Sequence, residues 1–205
     1  MKILVVDDHV IVREGIRRLL ASLPELSIIE AAGVREAATL FRKERPDVVL
    51  LDLNLPNGSG LDLLRRLLAE DKGARVLVFS MYAEPLYVAR ALDAGACGYV
   101  SKGAGAGELV AAIQKVAAGG RYVEIEIAAQ IVVNRYSGED PLQRLTVREA
   151  DIMRQLGEGK TMAAIALAYG VTYKTIANSC GIIKTKLGAE RTADLIRIAI
   201  EMGSS

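Results

Sequence analysis

The feature that most constrains this chain is an alternation of short apolar runs with helical patterns through its first 118 residues. Ile3–Val6, Ser27–Ile29, Asp47–Leu53, Arg75–Ser80 and Gly98–Ser101 read as strands. The stretches from Val10 to about Leu23, Val34–Glu44, Leu61 to about Glu70, Glu84–Ala94 and Glu108–Ala118 read as helices, closed by proline or glycine. The third run is apolar almost throughout, as a central strand covered on both faces must be. Five strands alternating with five helices predict an α/β, doubly wound five-stranded parallel sheet. In such sheets ligands bind beyond the carboxyl ends of the strands. The residues expected there are Asp7, Asp8, Asp52, Ser80 and Lys102.

Those residue types define a chemistry. Three converging carboxylates repel and need a cation, or raised pKa values, to coexist. An oxygen-rich, partly hydrated site suits Mg²⁺. A carboxylate nucleophile, Mg²⁺, a lysine and a hydroxyl together can accept a phosphoryl group as an aspartyl phosphate. A phosphatase using Asp52 as nucleophile would need a second carboxylate two residues on for proton transfer. Asn54 stands there and cannot transfer protons, so the chain is not expected to be an enzyme of that kind.

The remainder changes character. Residues 119–142 combine Gly119-Gly120, an amphipathic piece from Val123 to about Val133, and Ser137-Gly138-Glu139-Asp140-Pro141, which predicts a linker with one helix. From Leu142 the pattern is all helical. Thr146 and Glu149 form a capping-box signature, Met162–Tyr169 is a short helix, Thr172 opens a longer one to Leu187-Gly188, and Thr192–Glu201 closes the chain. Lys and Arg balance Asp and Glu over residues 1–120, fifteen of each, whereas residues 142–205 carry nine against six. A weak basic footprint therefore lies at the C-terminal end. No apolar run approaches the ~18 residues of a membrane span. Cys97 and Cys180 lack metal-ligand spacing and read as inert thiols in a reducing cytoplasm.

The ordered motifs Val5-Val6-Asp7-Asp8-His9, Leu50-Leu51-Asp52-Leu53-Asn54-Leu55-Pro56-Asn57-Gly58-Ser59-Gly60, Phe79-Ser80 and Gly98-Tyr99-Val100-Ser101-Lys102 resemble the receiver domains of two-component response regulators. The resemblance implies that Asp52 is the phosphoacceptor, and that Asp7, Asp8, Asp52 and the Asn54 main-chain carbonyl hold Mg²⁺. It implies that Lys102 contacts the phosphoryl oxygens. Ser80 and Tyr99 would be a switch pair, the hydroxyl moving toward the phosphate and the ring turning inward. His9 is expected only to enter a helix. Gly103 stands where many receivers have proline, which loosens the loop after Lys102.

Leu145-Thr146-Val147-Arg148-Glu149, Gly159-Lys160-Thr161, Ile165-Ala166, Gly170-Val171-Thr172, Lys174-Thr175-Ile176-Ala177-Asn178 and Lys184-Thr185-Lys186-Leu187-Gly188 resemble the LuxR-type helix-turn-helix. With the receiver, the layout is similar to the NarL/FixJ arrangement. This implies a flavodoxin-like receiver over 1–120, a linker over 121–141 and a DNA-binding domain over 142–205. Lys174, Ala177, Asn178 and Gly181 correspond to the groove-facing positions. Lys184, Lys186, Lys160 and Thr161 would meet the DNA backbone. Ala164, Ser179, Ala177 and Gly181 depart from common family residues, so the reading surface is small. The expected partners are a sensor histidine kinase, double-stranded DNA and a second copy of the chain in the active state. With a single histidine and no nucleotide-binding motif, the phosphoryl donor must be another protein or a small phosphodonor.

Overall fold

The computed structural model describes residues 1–21, 25–55, 58–81, 85–129 and 145–203. The chain divides into two compact units, Met1–Tyr136 and Ser137–Ser205.

In the first unit β1 (Lys2–Val6), β2 (Ser27–Ala31), β3 (Val48–Leu51), β6 (Val76–Ser80), β7 (Gly98–Ser101) and β8 (Tyr122–Val123) form a parallel sheet in the order β2-β1-β3-β6-β7-β8. A small antiparallel pair, β4 (Asn54–Leu55) with β5 (Gly58–Ser59), lies outside it. The helices are α1 (Val10–Leu20), α2 (Val34–Glu44), α3 (Gly60–Glu70), α4 (Pro85–Asp93) and α5 (Ala106–Ala117). Every residue of β3 is buried, as its unbroken apolar run requires. Strand side chains alternate between faces. Ile3, Val5, Val48, Leu50, Leu77 and Phe79 pack in one cluster with Ile16 and Leu20 of α1 and Leu109, Ile113 and Val116 of α5. Leu4, Val49 and Leu51, of opposite parity, are equally buried.

The expected elements are present, with two differences. The first helix was expected to run to about Leu23. Its described part ends at Leu20, with Ala21 as the cap, and residues 22–24 lie outside the described residues. The second difference is larger. A sixth strand, β8, lies in the stretch expected to be linker, so the first unit continues past residue 120. It pairs with β7 through Gly98↔Tyr122 and Tyr99↔Val123. A Cβ on Gly98 would press on the Tyr122 carbonyl and lie 2.9 Å from Leu77, so only glycine lets the strands meet. Tyr122 Oη donates to Glu108 (2.9 Å) and its ring sits beneath Lys115. Two residues carry no readable period, and Gly119-Gly120 just before them has the composition of a linker. Residues 125–129 are helical, within the expected amphipathic piece; residues 130–144 lie outside the described residues.

The second unit packs α6 (Val147–Gly157), α7 (Met162–Ala168), α8 (Tyr173–Leu187) and α9 (Thr192–Gly203). The predicted capping box is formed: Glu149 N donates to Thr146 Oγ1, and Thr146 N donates to the Glu149 carboxylate. Ile152, Met153, Leu156, Ile165, Ile176, Cys180, Ile183 and Leu195 make the core. Gly157 permits α6 to touch α9, since a Cβ there would lie 3.1 Å from Ala199. On α9, Leu195 and Ala199 are buried, while Ile196 and Ile200 are exposed.

Candidate functional site

The sheet order places the carboxyl ends of β1, β3, β6 and β7 side by side. The strand ladder continues into the residues that follow. Asp7 N donates to Ala31 O (3.1 Å), Asp52 N to Val6 O (2.9 Å) and Lys102 N to Ser80 O (2.8 Å). The backbone under each functional side chain is therefore held by the sheet rather than by a free loop.

Asp7, Asp52 and Ser80 are buried, and the Lys102 side chain is only 7% exposed. Lys102 Nζ lies 2.6 Å from Asp7 Oδ2 and 2.6 Å from Asp52 Oδ2, bridging two strands. On the other oxygen, Asp52 Oδ1 accepts from Ser80 Oγ (3.0 Å) and from Asn54 N (3.1 Å). Burial pushes the Asp52 carboxyl above the usual aspartate range, and the Lys102 ammonium opposes that without cancelling it. Burial pulls the Lys102 ammonium down, but Asp52 and Asp7 beside it hold it above its ordinary value. Each charge is thus tolerated because the other is present.

The donor set fits a divalent cation. Ligand atoms of Asp7, Asp8, His9 and Asp52 all lie within 4.8 Å of one another. Asp7 Oδ2 and Asp8 Oδ1 are buried; the first meets the Lys102 ammonium and the second the His9 ring nitrogen. Three carboxylates against one lysine leave the pocket negative, which a hard divalent ion with oxygen ligands relieves. The Asn54 backbone is tied to the pocket through its N–H to Asp52. Tyr99 is fully buried on β7, and Ser80 already points at Asp52.

Two residues in this site carried no expected role. His9 was expected only to enter α1. It does cap that helix, yet its ring Nδ1 also lies 2.9 Å from Asp8 Oδ1 and 3.2 Å from Asp7 Oδ1. The signal was its adjacency to paired aspartates at a strand end, which forces it to the same rim. Gly60, the first residue of α3, is the other. A Cβ there would run into the Asp52 carbonyl and come within 2.5 Å of Leu53 Cα. The helix can approach the Asp52–Leu53 backbone only because this residue has no side chain.

In the second unit Thr172 caps α8, accepting from Thr175 N (3.2 Å), and Gly170 turns the chain at φ 61°. Ile176, Cys180 and Ile183 face the core at helical spacing. Lys174, Asn178 and Gly181 fall on the opposite face, with Lys174 and Asn178 exposed and Ala177 and Gly181 half-exposed. Lys184 is half-exposed at the edge of that face. Lys186, expected among the DNA-backbone contacts, has an intramolecular partner. Its ammonium is committed to Glu149 Oε2 (2.6 Å) and braces the end of α8 against the start of α6. Thr161 spends its hydroxyl capping α7, accepting from Ala164 N (3.2 Å), and Lys160 pairs with Glu158 (3.1 Å) at the surface.

A parallel α/β sheet with an acidic pocket at its carboxyl edge, joined to a four-helix unit with an exposed helix face, defines a class. The chain belongs to the response regulators. Residues 3–114 match the family described as "Response regulator receiver domain", and residues 143–199 match "Bacterial regulatory proteins, luxR family". It thus joins a receiver to a LuxR-type DNA-binding domain, the layout of phosphorylation-dependent transcription regulators, which act as transcription factors and not as enzymes. It is 37% identical over 208 residues to the transcriptional activator protein ExaE of Pseudomonas putida, covering 99% of this chain and 97% of that one. It is 35% identical over 209 residues to the DNA-binding transcriptional activator DevR/DosR of Mycobacterium tuberculosis, covering 100% and 96%. Among solved structures, a LuxR-family two-component response regulator from Aurantimonas sp. SI85-9A1 shares 41% identity. It matches with a TM-score of 0.63 over 65% of this chain and 96% of its own. No described helix is long and apolar enough to cross a membrane.

Proposed function

We propose that the chain is a phosphorylation-gated transcription regulator in which Asp52 receives the phosphoryl group. The observation that carries the reading is the Asp52 carboxylate, buried at a strand end and shared between Ser80, Asn54 N and Lys102, with Asp7 and Asp8 beside it. A carboxylate oxygen of Asp52 attacks phosphorus. The new O–P bond forms as the P–N bond to a kinase imidazole, or the P–O bond of an acyl phosphate, breaks and the donor keeps the electron pair. Lys102 is held beside Asp52 by Asp7, where it can follow the transferred oxygens. Ser80 Oγ, already within hydrogen-bond reach of the acceptor, turns its donor to the phosphoryl group, and Tyr99 occupies the buried position on the neighbouring strand. Asp7, Asp8, Asp52 and the Asn54 carbonyl would hold the divalent ion, with Mg²⁺ the ion of choice for an oxygen donor set. When bound, it neutralises charge on the phosphoryl oxygens.

The second domain binds double-stranded DNA by the exposed face of α8, in the manner of helix-turn-helix modules. Lys174, Ala177, Asn178 and Gly181 face base edges. Lys184, Lys160 and Thr161 lie toward the backbone. A sensor histidine kinase is the natural donor, and the active form is a homodimer whose two recognition helices read two half-sites. Kinase, chain and DNA meet in the cytoplasm. The test is to treat the purified chain with a small phosphodonor and Mg²⁺ and count phosphoryl groups by intact mass. Wild type should gain one alkali- and hydroxylamine-labile group and Asp52→Asn none. Equal incorporation in the two proteins would end the assignment.

A further inference from the structure

We propose that Ile182 is a specificity-determining residue of α8, packing against thymine methyl groups, and that Gly181 beside it is bare so that the helix comes close enough to do so. The inference rests on the reading of α8 as the recognition helix and concerns how that helix tells one sequence from another. Ile182 is 52% exposed, whereas Ile183 beside it is fully buried. Residues four apart lie one above the other on a helix, so Ile182 continues the row of Lys174 and Asn178, one turn further along. A large apolar side chain therefore stands on the face turned away from Ile176, Cys180 and Ile183.

The fold gives no reason for Gly181 either. It lies inside a 15-residue helix, where glycine is destabilising relative to alanine. A Cβ there would meet nothing within 4 Å, and its φ is not positive, unlike those of Gly170 and Gly188. Neither internal packing nor backbone conformation requires a glycine. Its effect is outward: with Ala177 one turn before it, it leaves a low surface beside Ile182, and a low surface lets the helix backbone approach the floor of a groove.

The hydroxyls of α8 are largely spent on the helix itself. Thr185 donates to the Gly181 carbonyl (3.2 Å) and Ser179 to the Thr175 carbonyl (3.1 Å). The Thr172 hydroxyl caps the helix and meets the Thr175 hydroxyl (2.9 Å). Asn178 can pair with adenine, and Lys174 with guanine. The apolar group that a base edge presents in the major groove is the thymine C5 methyl, and Ile182 is the side chain suited to it. The preference inferred is for thymine at the position one helical turn beyond the base pair that Asn178 reads.

The probe is a duplex enriched from a randomised pool by the full chain after phosphodonor treatment. It is compared with copies in which single thymines are replaced by deoxyuridine, which removes only the methyl group. Wild type should lose about fourfold in affinity where the thymine facing Ile182 is replaced, and Ile182→Ala should bind the two duplexes alike. The exposed position predicts that Ile182→Ala keeps the wild-type circular dichroism and Tm. Gly181→Ala should move two readouts in opposite directions. Its Tm should rise, because alanine favours the helix and its methyl meets nothing. Its affinity for the duplex should fall by about fivefold or more, because the methyl intrudes on the DNA. The inference is overturned if wild type is indifferent to every deoxyuridine replacement, if Ile182→Ala retains the wild-type difference, or if Gly181→Ala binds as tightly as wild type. Lys174→Ala and Asn178→Ala separate it from the reading beneath it. If they weaken binding while Ile182→Ala still distinguishes thymine from deoxyuridine, only the role of Ile182 fails; if no substitution on α8 changes binding, the reading of α8 as the recognition helix fails.

Discussion

At the scale of single residues, this structure turns on atoms that are absent as much as on those present. Gly60 allows α3 to begin against the Asp52 carbonyl, so the helix packs directly behind the acceptor loop. Gly60→Ala must push Asp52 or Leu53 aside. It should cost about 1–3 kcal/mol of stability, seen as a lower Tm, and slow phosphoryl acceptance in the fraction that folds. A Tm and a labelling rate equal to wild type would show that the loop yields freely. Asn178 makes the complementary case on α8. It is exposed on the face away from Ile176, Cys180 and Ile183, and its amide can pair bidentately with adenine. Asn178→Ala should lower discrimination between operator and unrelated DNA by about 1–3 kcal/mol and leave non-specific binding nearly intact. Competition binding with the two DNAs reads this directly.

At the scale of elements, the joint between α6 and α8 is electrostatic as well as apolar. Glu149 serves the Thr146 capping box and also receives Lys186 Nζ at 2.6 Å. Burial raises the Glu149 carboxyl, but the Lys186 and Thr146 hydrogen bonds outweigh it and hold the carboxyl below its ordinary value. A lowered value in the folded state means stability that is complete above the unfolded value of about 4.3 and lost as pH falls through the folded value. Lys186→Ala should therefore lower stability by about 1–2 kcal/mol near neutral pH, and the gap between mutant and wild type should close as pH drops below about 4. Thermal melts of the full chain across that range test it; a pH-independent gap would mean that Lys186 acts through packing of its stem alone. The same joint holds Lys186, which looks in the sequence like part of a basic run with Lys184, against Glu149.

At the scale of the whole molecule, the proposed DNA contacts use few cations. Lys174, Lys184 and Lys160 are the lysines proposed to face DNA that have no buried partner, Lys160 being paired with Glu158 at the surface. A dimer presenting two such sets would neutralise about six phosphates, giving a slope of log K against log salt near −5. A monomer should give about half that slope and bind weakly. Phosphodonor treatment should shift the chain toward the dimer by sedimentation and steepen the slope together; Asp52→Asn should do neither. A steep slope in the untreated monomer would place additional phosphate contacts elsewhere on the protein.

Much of this was legible from residue order. Periodicity announced the alternating strands and helices because buried strands and amphipathic helices leave different apolar patterns, and the same pattern puts Asp7, Asp8, Asp52, Ser80 and Lys102 at strand ends. The capping box of Thr146 and Glu149 was equally visible, being a local interaction within one turn. What only the tertiary structure decided was where polar side chains end their reach across elements. Lys186 finds Glu149 37 residues away, Lys102 bridges Asp7 and Asp52, and the two-residue strand at Tyr122 exists because Gly98 leaves it room. His9 belongs to the same group, since its imidazole gains meaning only beside the carboxylates that the sheet brings together. Local patterns are carried by near neighbours in the chain; partners distant in sequence are set by packing, and no single stretch of residues encodes them.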